Sequence, residues 1–129
     1  MDENYGVFEY LLEQKKNGRI GHLGFSSHAK PDMLKRFLDK FDCFEFVQIQ
    51  LNYLDWTFQD AKQQYEIITS HNPPVWVMEP CRGGRLAALN PALDSSLLKQ
   101  RPGKSVASWA FRWLQSLPDV LVVLSGMTI

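Results

Sequence analysis

The feature that most constrains this chain is a unit that recurs four times. Each unit is an amphipathic stripe at helical spacing, then a short apolar run that stops at small or polar residues. Residues 5–18 carry the first stripe, with Val7, Phe8, Leu11 and Leu12 on one side. Lys15 and Lys16 suit the C-terminal dipole there, and Asn17-Gly18 stops the helix. Residues 20–25 read as the strand that follows. A second helix begins at Pro31, a residue suited to a first turn, and turns Leu34, Phe37, Leu38 and Phe41 inward. Residues 44–52 alternate: Val47, Ile49 and Leu51 fall on one face, while Phe46, Gln48, Gln50 and Asn52 fall on the other. Phe58, Ala61, Tyr65 and Ile68 mark a third helix, closed by His71-Asn72-Pro73-Pro74, and residues 75–79 a third strand. Residues 86–103 read as loop with room for a short helix. Residues 104–117 supply the fourth helix, with Val106, Ala110, Leu114 and Leu117 inward, and residues 120–124 the last strand.

Apolar strands separated by helices imply a parallel α/β sheet covered by helices, here with four strands and four helices. Doubly wound sheets and (β/α)8 barrels both satisfy that order, and both bind ligands at the C-terminal strand ends. Those ends are Ser26-Ser27, Gln50 to Asn52, the loop from Glu79 to Gly84, and Ser125-Gly126, all small or polar. Composition removes several other classes. A length of 129 residues fits one domain, and 45% hydrophobic with 22% charged residues is a soluble globular balance. Lys+Arg and Asp+Glu stand at 14 each, so nothing points to nucleic acid. No apolar run reaches the ~18 residues of a membrane span, and the opening MDENYG is the reverse of a secretory signal. Two cysteines, Cys43 and Cys81, make no disulfide framework, which suggests a reduced, cytoplasmic protein. His22, His28 and His71 are scattered and never paired with a cysteine at ligand spacing, so no metal is expected.

The stretches GRIGHLGFSSH, FVQIQLNYLD, VWVMEPCRGGRL and ASWAFRWLQSLPDVLVVLSGM, taken in order, resemble the second half of an aldo-keto reductase. They resemble especially the bacterial branch with HLGFS and MEP-x-x-GG motifs. The resemblance runs from about residue 18 to 128 and implies strands five to eight of a (β/α)8 TIM barrel. It also implies NADPH or NADH as cofactor, with NADP(H) favoured, and hydride transfer to an aldehyde or ketone in the complete oxidoreductase. By position, Ser26 and Ser27 match the pair that holds the nicotinamide carboxamide, with serine replacing the usual asparagine at Ser27. Gln48 matches the third carboxamide partner, and Met78 the residue that stacks under the ring. Cys81, Arg82 and Gly83 match the pyrophosphate loop, and Ser125-Gly126-Met127 begins the segment that holds the adenosine phosphate.

The same resemblance exposes an absence. The family's catalytic Asp, Tyr, Lys and His come from strands one to four, and no motif here supplies them, so no catalytic residue is assigned. Tyr5, Tyr10, Tyr53 and Tyr65 fall on expected helices or a loop. A tyrosine acid needs a close cation to lower its pKa, and none is arranged here. A full barrel takes ~250 residues. The chain is therefore expected to be a single-domain fragment of a longer enzyme, inactive alone, with open strand edges that invite self-association. The alternative is a non-catalytic half-barrel that binds a nucleotide or acts as an interaction module. Each assigned residue also has a plainer role: Ser26 and Ser27 as caps, Gln48 as a wet polar residue, Met78 as core, and Arg82 to Arg85 as a solvated turn.

Overall fold

A computed structural model describes residues 6–126. The elements in chain order are α1 (Val7–Lys16), β1 (Gly24–Ser27), α2 (Pro31–Lys40), β2 (Phe46–Gln50), α3 (Asp55–Phe58) and α4 (Ala61–Ser70). They continue with β3 (Val75–Met78), α5 (Pro91–Gln100), α6 (Ala107–Gln115) and β4 (Val120–Val123). The protein is α/β, with one four-stranded, wholly parallel sheet in the order β1-β2-β3-β4. The spatial order repeats the chain order, so every right-handed crossover advances the same way and lays its helix on the same face. A doubly wound sheet reverses its strand order at one point, and no reversal falls among the described residues.

The alternation in β2 decides which face is buried. Val47 and Ile49, with Val75 and Val77 of β3, are wholly buried against Leu34 and Leu38 of α2, Tyr65 and Ile68 of α4, and Leu114 of α6. The opposite face is half-exposed and carries Phe46, Gln48 and Gln50 of β2 with Trp76 and Met78 of β3. Its lower part is an aromatic layer. The Phe46 and Trp76 rings stack 3.9 Å apart at 14°, and Phe46 lies so closely over Gly24 that a Cβ there would sit 2.5 Å from the ring. Phe8 of α1 closes the outer edge by stacking on Phe41, with Phe37 and Phe44 beside it.

Four expectations need correction. The first strand is not residues 20–25 but Gly24–Ser27, because pairing with β2 begins only at Gly24 opposite Phe46. Both serines therefore lie inside the strand rather than beyond its tip. The third helix is two, α3 and α4, broken where Asp60 takes a left-handed conformation at φ 55°, and Phe58 is left exposed instead of facing the core. Residues 91–100 form a regular ten-residue helix, started by Pro91 and capped by Asn90, whose side chain accepts from the Leu93 amide. Six helices thus stand among the described residues where four were expected. Finally, α1 buries no residue completely, and Val7 and Leu12 of its expected stripe face out. Tyr5 and Met127 lie outside the described residues.

Candidate functional site

The C-terminal ends of the four strands gather the polar side chains. In parallel pairing, partnered residues share a face, and Ser26 partners Gln48 while Gln50 partners Met78. Ser26, Gln48 and Met78 therefore share the open face, with Ser26 level with Gln48 and Trp76, and Met78 two residues further along, level with Gln50. Gln48 Nε2 donates to Met78 Sδ at 3.5 Å, a weak acceptor that leaves most of the amide's capacity unspent. The exposed Ser26 hydroxyl has no hydrogen-bond partner among the described residues. Ser27, next along the strand, faces the helix side instead. It is nearly buried, and its Oγ accepts the Ala29 amide at 3.1 Å, so it shapes the turn into α2. The two serines are thus not brought to one point. Ser27 borders a cleft of about 210 Å³ with His28, Lys30, Gln50 and Gln59.

The loop after β3 is backbone held in an unusual form. Glu79, Arg82, Gly83 and Gly84 all have positive φ, at 58°, 48°, 60° and 87°. For glycine that conformation is free, but for Glu79 and Arg82 it persists only under surrounding restraint. A buried polar cluster supplies the restraint. Asn52 and Asp55 are both fully buried at the end of β2. Asn52 Oδ1 accepts the Leu54 and Asp55 amides, and its Nδ2 donates to Asp55 Oδ2 at 2.8 Å and to the Glu79 carbonyl at 3.1 Å. Asp55 Oδ2 also accepts Gln50 Nε2 at 2.8 Å. Arg82 Nε lies 3.1 Å from Asp55 Oδ1, an ionic contact whose N–H is not aligned, since Oδ1 has no hydrogen-bond partner. The Arg82 guanidinium also sits 5.2 Å over the Phe58 ring. Arg82 is therefore tied to the β2 end of the site, while Cys81 and Gly83 line a separate cleft of about 310 Å³ with Glu79, Gly84, Phe111 and Ser125. Burial, with the Glu79 charge beside it, pushes the Cys81 thiol pKa up, so it is a poor nucleophile at neutral pH.

Asp55 was not legible as a site residue. The one signal was Asn52 followed three residues later by an acid just before a helix, a pattern of side-chain-to-backbone capping. Among the described residues no group of three or more His, Cys, Asp or Glu side chains can hold a metal, and no helix is long and apolar enough to cross a membrane. Comparison with protein-family models gives no match to this chain, and comparison with curated proteins gives none at a significant level.

Proposed function

We propose that this chain is the cofactor-holding half of an aldo-keto reductase barrel, strands five to eight of a (β/α)8 fold. The observation that carries the reading is the shared position of Ser26, Gln48 and Met78 on the open face, beside the left-handed loop 79–84. The donor set fits a nicotinamide. A carboxamide needs one donor and one acceptor, which Ser26 and Gln48 can offer, and the Met78 thioether can cover a ring face. The backbone amides of loop 79–84 fit a pyrophosphate. NADP(H), favoured over NAD(H), would supply a hydride for an aldehyde or ketone. The Asp, Tyr, Lys and His that protonate the carbonyl would come from a complementary segment, so this chain alone turns over no substrate.

Support for the barrel lies in the sequential strand order and in the division of the open face, aromatic below and polar above. The test is a titration of NADPH into the chain, followed by quenching of tryptophan emission. Gln48→Ala loses a hydrogen-bond partner and should weaken binding roughly two- to twelvefold. Unchanged affinity in that variant removes the assignment of Gln48. A second reading, an interaction module that self-associates, is favoured by one observation. Among the described residues the β4 edge has no strand partner, and it shows Leu121 at 68% and Leu124 at 41% exposure. Sedimentation equilibrium separates the two, since a concentration-dependent dimer that binds no NADPH supports only the second.

A further inference from the structure

Resting on the reading of loop 79–84 as a phosphate site, we infer that Glu79 competes from within the molecule for that site and so holds weakly bound anions off it. Arg82, Gly83 and Gly84 follow one another with positive φ. Successive amides in turns of this kind form a concavity that takes an anion. One of them already holds an anion: the Gly83 amide donates to Glu79 Oε2 at 2.6 Å, a short, charge-assisted bond.

Glu79 lines the same cleft as Gly83 and Gly84, and it is exposed, so its carboxylate can swing out into water without losing packing. Its backbone, however, cannot follow. The Glu79 carbonyl is held by Asn52 Nδ2 at 3.1 Å and by the Arg82 amide at 3.1 Å. The loop therefore keeps its shape when the side chain leaves. An arriving phosphate meets a like charge at the amide it needs, and binds only if it gains more than the carboxylate gives up. With the Arg82 amide given to the Glu79 carbonyl, the Gly83 and Gly84 amides are the pair that an arriving phosphate group can engage once it displaces Glu79.

The experiment titrates inorganic pyrophosphate and inorganic phosphate into the full chain and into Glu79→Gln by calorimetry, with the Gly83 amide followed by NMR. The glutamine keeps an acceptor for Gly83 but removes the charge. Exposed charged contacts are weak, so a gain of roughly two- to fivefold in affinity is expected for pyrophosphate and for phosphate alike. Glu79→Gly, which also relieves the left-handed backbone, should gain affinity as well and guards against a defect peculiar to glutamine. If pyrophosphate shifts Gly83 and binds the parent chain and both variants equally, the competition is refuted while the phosphate site stands. If no form binds pyrophosphate, the phosphate site itself is refuted and the competition with it.

Discussion

Replacing Asp55 by alanine should destabilise the fold more than its single carboxylate suggests, because that group joins the end of β2 to the loop after β3. Two hydrogen bonds at 2.8 Å are lost, from Asn52 Nδ2 and Gln50 Nε2. Bonds to an ionised acceptor are worth about 1.5–3 kcal/mol each, so the gross loss is about 3–6 kcal/mol. Two effects offset it. A fully buried charge no longer has to be kept from water. Both donors also keep a partner, Asn52 in the Glu79 carbonyl and Gln50 in Gln59 Oε1 at 3.3 Å. A net loss of about 2–3 kcal/mol follows, seen in urea as a midpoint lowered by about 1 M at an unchanged slope. Arg82→Ala removes a contact that is close but unaligned, from a side chain that is 19% exposed. The coupling of the two changes in a double-mutant cycle should therefore be about 1 kcal/mol, low in the range for neighbours. An Asp55→Ala protein within about 0.5 kcal/mol of the parent, an ordinary surface effect, would refute the claim that this cluster holds the loop. So would strict additivity with Arg82→Ala for the claim that the pair is coupled.

Gly24→Ala should cost about 1–3 kcal/mol by overpacking, since the Phe46 ring is pinned between the new methyl group and Trp76; an unchanged melting temperature would show that the ring moves freely. The His71 pKa is raised by the Ile67 carbonyl 2.8 Å from Nδ1 and by Asp39 3.0 Å from Nε2. A raised pKa stabilises fully below the ordinary value of 6.5 and ceases to do so as pH climbs through the folded value, so melting temperature should fall over that interval. His71→Gln should flatten that fall, and a parallel pH curve in the variant would contradict it. Burial raises the pKa of both Cys43 and Cys81, so alkylation by iodoacetamide at pH 8 should be slow in the folded chain and fast in urea. Equal rates in the two states would contradict the burial of both thiols.

The sheet was legible because its residues obey a strict period. Val47, Ile49, Val75 and Val77 alternate with polar or aromatic neighbours, and only one face of a parallel sheet can bury them. Strand limits were less so. Ile20 is apolar enough for a strand, but strand pairing waits for Gly24, where the absence of a side chain makes room for Phe46. The break between α3 and α4 was hidden, because Asp60 in a left-handed conformation leaves no mark on the spacing of Phe58, Ala61 and Tyr65. In the site, Gln48 and Met78 could be placed on a strand face from alternation alone. The opposed directions of Ser26 and Ser27 follow from the same rule once the strand is seen to include them. Arg82 could not be placed, since its partner Asp55 is distant in sequence and reads locally as a helix-start acid.

Whether these strand ends hold a nicotinamide cofactor is tested most simply by an amide and side-chain NMR titration of this chain with NADPH. Shifts are expected in two groups, Ser26 with the Gln48 carboxamide and Cys81 through Gly84, rising together with one dissociation constant. Shifts confined to other surfaces, or none at millimolar NADPH, would contradict it.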